Sequence, residues 1–145
     1  MSVFISIDPG NKKCGLLLAS MKSGDVIEAG ISSLNRFLNI VSLWNKEYDV
    51  CKIVIGDGTN SKFIANQLLQ KNIINFTYIN EKGSTLRARF RYWEVWPPNF
   101  LIRWLPKEML FPPENLDPVV ALILLEDFLE YTFNWPENIN IKIWL

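Results

Sequence analysis

Four acidic residues stand where apolar segments of the sequence end. Asp8, Asp57 and Glu81 each follow a short apolar run, and a longer apolar run begins directly after Asp117. Because the carboxyl ends of strands in a mixed sheet open into one crevice, we expect these side chains to converge. Carboxylates held close together repel one another unless a divalent cation compensates their charge. The pattern therefore predicts that the four acids bind Mg²⁺ or Mn²⁺, ions that prefer carboxylate oxygens.

Each acid also has a structural role open to it. Asp8 begins an Asp-Pro-Gly turn, in which proline fixes φ and glycine accepts the positive φ of a tight reversal. Asp117 precedes a proline, the arrangement of a helix cap followed by proline at the first helical position. Asp57 and Glu81 are residues typical of loops. From the residues alone, ligand roles and structural roles both stay open.

The composition limits the chemistry that the chain can carry. The 145 residues include no histidine, so imidazole is absent as a general base and as a metal ligand. The two cysteines, Cys14 and Cys51, are too distant in sequence for a typical zinc motif. Carboxylates and lysines must then carry most of any chemistry. The formal net charge is zero, so a polyanion would have to bind at a local patch.

The sequence predicts a cytoplasmic protein that does not enter a membrane. Its N-terminus lacks a basic segment followed by an apolar one. The longest wholly apolar run, residues 119–125, is far shorter than the ~18 residues that span a bilayer. The isolated cysteines favour a reducing compartment.

The order of elements predicts one mixed α/β domain over residues 1–145, with a proline- and aromatic-rich insertion around 96–114. Three meandering strands precede alternating helices and strands. The predicted strands are 3–7, 16–19, 26–31, 52–56 and 75–79, with a further short edge strand at 139–145. The predicted helices begin at a Ser33 cap, at a Ser61 cap, at Ser84 and at an Asp117 cap.

Basic residues cluster near two of the acids. Two lysines occupy the bend after Asp8, and a basic helix follows Glu81. Arg87 and Arg91 share one face of that helix, where like charges repel unless an anion lies beside them. A solvated helix face is the alternative. The pattern favours a phosphodiester substrate, and the candidate nucleic-acid contacts are Lys12, Lys13, Lys82, Thr85, Arg87 and Arg91.

Three motifs resemble the YqgF branch of the RuvC-like resolvases. Residues 7–15 match I-D-P-G-x-x-K-x-G, residues 81–88 match E-K/R-x-[ST]-T-x-x-A, and residues 117–124 match D-x-x-x-A-x-x-L. The resemblance implies a ribonuclease H-like fold, with a five-stranded mixed sheet flanked by helices. It also implies hydrolysis of structured nucleic acid, dependent on Mg²⁺ or Mn²⁺, in precursor ribosomal RNA processing or Holliday junction resolution.

The same resemblance assigns roles to particular residues. It implies that Asp8, Glu81 and Asp117 are the catalytic, metal-binding acids and that Lys13 lies near the phosphate. Two positions depart from the family pattern. Asn80 stands where the family often has an aspartate, and Asp117 is followed by Pro-Val-Val rather than by small residues.

Two other functions stay open. One is a catalytically inactive nucleic-acid-binding or ribosome-assembly module on the same fold, which the change at Asn80 and the zero net charge favour. The other is an ATP-binding actin-like fragment, since the hairpin at 7–15 is similar to the phosphate loop of such proteins. The length argues against the ATP-binding alternative, because those enzymes close two lobes over the nucleotide.

The stretch 92–113 is rich in tryptophan and proline. Its aromatic side chains could stack on unpaired bases, cover the site or form the interface of a homodimer. Packing is favoured, because large aromatic side chains are usually buried.

Overall fold

The structure, a computed structural model, describes residues 2–99, 103–106 and 116–145. These residues form a mixed sheet with helices on both faces. The strands are β1 Val3–Asp8, β2 Lys13–Ser20, β3 Asp25–Ser33, β4 Val50–Gly56, β5 Phe76–Ile79 and β6 Ile141–Trp144. The helices are α1 Phe37–Glu47, α2 Ser61–Gln70, α3 Ser84–Val95 and α4 Asp117–Leu129.

The sheet brings the ends of its parallel strands to one edge. Its order is β5-β4-β1-β2-β3-β6, with β2 antiparallel to both of its neighbours. The pairs β1–β4, β4–β5 and β3–β6 are parallel. The carboxyl ends of β1, β3, β4, β5 and β6 therefore meet at the same edge, where β2 begins. We call it the carboxyl edge.

The prediction of a mixed α/β fold is confirmed, with a different strand count. Six strands form the sheet in the described part of the chain, because residues 141–144 pair with the outer side of β3. The short edge strand predicted at 139–145 is therefore part of the main sheet. Most of the predicted insertion around 96–114 lies outside the described residues.

Alternation along the central strands builds two cores. In β1, Ile5 and Ile7 face α1 and α2, whereas Phe4 packs against α4 on the opposite face. Helix α4 is buried along residues 118–125, as its wholly apolar sequence predicts. Helix α3 packs on the outer side of α4 through Ala88 and Tyr92. None of the described helices has the length and apolar character needed to cross a membrane.

Three predicted helix starts are shifted. Ser33 is the last residue of β3, and the N-cap of α1 is Arg36, which makes no side-chain capping bond. The N-cap of α2 is Asn60 in the left-handed conformation, one residue before Ser61. Asp117 is the first residue of α4 and follows the N-cap Leu116. Capping residues are common in loops, so a serine alone did not locate these ends.

Two contacts fix where α4 begins relative to β1. The backbone of Asp117 lies directly on Gly15, so closely that a Cβ atom at Gly15 would overlap the Asp117 carbonyl. Further along α4, the buried Ser6 hydroxyl donates a 2.6 Å hydrogen bond to the Ala121 carbonyl. Gly15 is paired with Asp8 across the β1–β2 hairpin. The glycine therefore allows the start of α4 to reach the end of β1.

We expect Gly15→Ala to lower the free energy of unfolding by about 3 kcal/mol, the upper end for overpacking, because the obstructing atoms belong to the backbone. Denaturation in urea measures the loss. The control is Gly83→Ala, whose Cβ meets no atom within 4 Å. That control should cost about 1 kcal/mol for the left-handed backbone alone. Equal losses in the two variants would mean that Gly15 is not a close-contact position.

Candidate active site

The four predicted acids lie at or next to the carboxyl edge. Asp8 ends β1, Asp57 directly follows β4, and Glu81 comes two residues after the end of β5. Asp117 opens α4 on the face of the sheet to which Asp8 points, since Ile7 faces the other core. Strands β5, β4 and β1 are neighbours in the sheet. The predicted convergence of these elements thus follows from the strand order.

Electrostatic coupling joins three of the acids. Burial, together with the charges of Asp117 and Glu81, raises the pKa of Asp8 from an ordinary 3.8 to about 8, and burial is the largest of these causes. Burial also raises the pKa of Asp117, while the ammonium group of Lys13 lowers it. Asp8 is therefore close enough to both Asp117 and Glu81 to sense their charges.

The same field acts on a neighbouring thiol. Cys14 is fully buried, and burial raises the pKa of its thiol to about 12, with Asp8 and Asp117 adding to the shift. A thiol with this pKa stays protonated at neutral pH and is a poor nucleophile. The chemistry of this region therefore belongs to the carboxylates.

The carboxylate of Glu81 lies against residues 56–58, at the end of β4 and the start of the loop that follows it. A Cβ atom at Gly58 would overlap Oε1 of Glu81, and one at Gly56 would overlap Oε2. Burial raises the pKa of Glu81 and the charge of Asp57 raises it further, whereas a hydrogen bond with the Gly58 backbone lowers it. The sequence pattern predicts a ligand role for Asp57 and gives no role to the two flanking glycines. A glycine on each side of an acid after a buried strand was the available signal.

The acids have the donor chemistry of a site for Mg²⁺ or Mn²⁺. Oε2 of Glu81 is a buried oxygen without a hydrogen-bond partner in the described part of the protein, and carboxylate oxygens suit these ions. Among residues 2–99, 103–106 and 116–145, however, no three acidic, cysteine or histidine side chains are arranged to hold a metal ion. The four-acid metal site stays a prediction, supported by the donors and their coupling.

The hairpin between β1 and β2 places two lysines beside the acids. Lys12 and Lys13 are exposed, and Lys13 acts on the carboxylate of Asp117. The Asn60 amide donates a 2.9 Å hydrogen bond to the Gly10 carbonyl, which ties the hairpin turn to the start of α2. Lys13 is therefore held next to the acids by a turn with a fixed position.

Lys82 and Thr85 lie at the start of α3, next to Glu81. Both residues are exposed. The Lys82 amide donates a 2.8 Å hydrogen bond to the Asn80 side chain, and the Ser84 hydroxyl donates one of 2.6 Å to the Glu81 carbonyl. These bonds shape the turn that carries Glu81. The side chain of Lys82 takes part in neither bond and is exposed.

Arg87 and Arg91, which are predicted as phosphate contacts, have carboxylate partners within the protein. Arg87 forms two 2.6 Å hydrogen bonds with Asp127. Arg91 binds Glu126 at 2.9 and 3.1 Å and donates to the Phe133 carbonyl at 2.7 Å. The anions that balance this arginine pair are carboxylates of α4. Both arginines join α3 to α4, and their role as phosphate contacts stays a prediction.

The arrangement of a β1–β2–β3 meander, parallel β4 and β5, and acids at the carboxyl edge defines a ribonuclease H-like fold. Solved structures with this fold are similar to the chain. One of them is the large terminase nuclease from thermophilic phage G20c, with a TM-score of 0.55 and 14% identity over 86% of this chain and 81% of that one. No family model and no curated protein matches the sequence. The comparison thus establishes the fold.

We expect the two arginine pairs to differ in their contribution to stability. Arg91→Ala leaves the carboxylate of Glu126 buried, with 10% of its side chain exposed, and should lower the free energy of unfolding by about 3–5 kcal/mol. Arg87→Ala breaks a pair in which the arginine side chain is 52% exposed, so we expect a loss below about 1 kcal/mol. Urea denaturation of both variants measures the difference. Similar losses would contradict the assignment of Arg91 as the buried link.

The buried acids predict a stability that falls as the pH rises. The pKa of Asp8 is about 8 in the folded protein and near 3.8 in the unfolded chain, so between these values the folded state binds more protons. The free energy of unfolding should then decrease by up to about 1.4 kcal/mol per pH unit from this group. The raised pKa values of Glu81 and Asp117 act in the same direction.

Urea denaturation between about pH 4 and pH 8 in metal-free buffer tests this dependence. We expect Asp8→Asn to flatten the profile, because an amide does not titrate. Glu47→Gln, which removes an exposed carboxylate at the end of α1, is the control and should keep the wild-type slope. An unchanged slope in Asp8→Asn would show that Asp8 does not hold the proton.

Proposed function

We propose that this protein is a divalent-metal-dependent nuclease that hydrolyses phosphodiester bonds in structured nucleic acid. The observation that carries the proposal is the coupling of Asp8, Glu81 and Asp117 at the carboxyl edge of a ribonuclease H-like sheet. Like charges in a half-buried site destabilise the fold. A divalent cation bound between the acids would offset this repulsion, so the cluster is consistent with a metal site.

The three acids would hold Mg²⁺ or Mn²⁺, which in nucleases activates water and stabilises the leaving oxygen of the phosphodiester. Asp8 retains a proton near neutral pH, because its pKa is about 8. It must lose this proton before both of its oxygens can act as ligands. Metal binding should therefore strengthen as the pH rises toward 8.

Lys13 is the residue best placed to contact the substrate backbone. Lys13 is exposed and its ammonium group acts on Asp117, so a phosphate bound at the proposed metal site would lie within the field of this ammonium group. Lys12 and Lys82 would extend the positive charge on either side of the acids, and Thr85 would add a hydroxyl donor. The formal net charge of zero makes this local patch the source of attraction for a polyanion.

The substrate would be structured RNA or branched DNA. The three motifs that resemble the YqgF branch favour precursor ribosomal RNA processing or Holliday junction resolution, and the similar phage protein is a terminase nuclease. These sources agree on a phosphodiester substrate and differ on the nucleic acid. We infer a cytoplasmic role on the basis of the sequence prediction.

A second candidate is a nucleic-acid-binding module without activity, on the same fold. Two observations favour it. Asn80 stands where the similar YqgF motif often has an aspartate, and its side-chain oxygen accepts a hydrogen bond from the Lys82 amide. The described acids, moreover, are not arranged to hold a metal ion. Such a module would use the same lysines and would not hydrolyse its ligand.

Cleavage assays on a four-way DNA junction and on structured RNA, with Mg²⁺ or Mn²⁺, distinguish the two candidates. We expect cleavage by the wild type and a loss of about 100-fold or more in Asp8→Asn, since loss of an outer partner of a metal ligand already costs about 10–100-fold. Asp49→Asn removes the same charge just before β4, at the opposite edge of the sheet, and should cleave normally.

The outcomes separate the candidates as follows. Equal cleavage by the wild type and Asp8→Asn would exclude a role for the acid cluster in hydrolysis. Salt-dependent binding without cleavage under either metal, retained in Asp8→Asn and weakened in Lys13→Ala, would establish the binding module instead. Absence of binding at low salt would rule out both.

A further inference from the structure

We propose that the loop Gly56-Asp57-Gly58 is a seat that positions the carboxylate of Glu81, with Asp57 as a positioning residue rather than a metal ligand. The proposal rests on the nuclease function proposed above and concerns the same site. It concerns the segment that joins β4 to α2, and it replaces the ligand role that the sequence pattern predicts for Asp57.

The two glycines leave the space that the carboxylate fills. Oε1 of Glu81 occupies the place where a side chain at Gly58 would begin, and Oε2 occupies the corresponding place at Gly56. The added Cβ at Gly56 would also lie 3.0 Å from Leu124 Cδ1 and 3.3 Å from Pro9 Cδ. The seat is therefore bounded by β4, α4 and the hairpin turn, and a side chain at Gly56 or Gly58 would have to displace the carboxylate of Glu81.

Neither glycine is required by the backbone conformation. The glycines of the described chain with positive φ are Gly24 and Gly83, so Gly56 and Gly58 have backbones that other residues adopt. The absence of a side chain at these two positions is thus explained by the closeness of Glu81. This distinguishes a seat from an ordinary glycine turn.

Asp57 holds the same residue by its backbone. Oδ1 of Asp57 accepts a 3.2 Å hydrogen bond from the Glu81 amide. The side chain of Asp57 is exposed, whereas the carboxylate of Glu81 is partly buried. Asp57 therefore fixes the backbone of Glu81 while the glycines fix its carboxylate. The charge of Asp57 also acts on Glu81, so a cation bound by Glu81 would sense it.

A buried oxygen of Glu81 that lacks a hydrogen-bond partner in the described residues suggests what the seat does. Oε2 of Glu81 is buried without a hydrogen-bond partner in the described residues, and a buried oxygen without a partner is unfavourable. Held by the loop, the carboxylate of Glu81 lies close enough to Asp8 for their charges to interact. A rigid ligand loses less conformational freedom when it binds a cation, so the seat should increase metal affinity.

The test uses calorimetric titration of the full chain with Mn²⁺. We expect Gly58→Ala to weaken Mn²⁺ binding by about 10–100-fold, the range for loss of a partner that orients a metal ligand. Gly83→Ala is the control for added strain near Glu81, because it adds the same methyl group two residues away, into open space and on a left-handed backbone. Its Mn²⁺ affinity should stay within about threefold of the wild type. Equal affinity in Gly58→Ala and the wild type would overturn the seat.

A pair of variants at Asp57 separates positioning from ligation and adds no bulk. Asparagine keeps an oxygen that can accept the hydrogen bond from the Glu81 amide, so the Mn²⁺ affinity of Asp57→Asn should stay within about threefold of the wild type. Alanine has no such oxygen, so Asp57→Ala should lose about 10-fold in Mn²⁺ affinity. If Asp57→Asn loses as much affinity as Asp57→Ala, Asp57 is a ligand and its assignment as a positioning residue is wrong.

Failure of the seat and failure of the nuclease proposal give different results. If the wild type does not bind Mn²⁺, the metal site proposed above is wrong, and crystal structures of the wild type and Gly58→Ala then decide the seat. The seat requires the Glu81 carboxylate to lie on the loop in the wild type and to leave it in Gly58→Ala. A carboxylate in the same place in both structures would overturn it.

Discussion

The contact between the first residue of α4 and Gly15 is the constraint on which the site depends. It presses the backbone of Asp117 onto β2 at the position paired with Asp8. The hydrogen bond from Ser6 to Ala121 then prevents the helix from sliding along the sheet. A side chain at position 15 would lift the helix and separate the two acids. The absence of a Cβ atom at Gly15 thus lets α4 pack closely enough on the sheet to bring Asp117 near Asp8 at the carboxyl edge.

The acid cluster lowers the free energy of unfolding of the protein. Burial raises the pKa values of the three acids, and repulsion from neighbouring acids raises those of Asp8 and Glu81 further than burial alone would. The opposing contribution comes from the apolar cores on both faces, in which residues 119–125 of α4 are almost fully buried. Burial of a large aliphatic side chain contributes roughly 1.5–3 kcal/mol. Functional sites commonly carry such a local cost, which the remainder of the domain offsets.

Sequence patterns located the elements and the acids, because those patterns are local. The apolar run after Asp117 predicted a buried helix, and the end of the first apolar run located Asp8. Contacts between distant segments were not accessible in this way. The partners of Arg87 and Arg91 lie 35 to 42 residues away, and the loop that receives Glu81 precedes it by more than 20 residues. The serine predicted to cap α1 belongs to β3, since strand pairing overrode a local capping preference.

The two thiols of this chain are unequal, which has a practical consequence. Cys14 is buried and its pKa is about 12, whereas Cys51 is exposed near the start of β4, at the edge remote from the acids. Reagents that need a thiolate should react with Cys51 and spare Cys14. A fluorophore or spin label can therefore be attached at one defined position without mutagenesis. Ligand encounters could then be followed spectroscopically in the unmodified sequence.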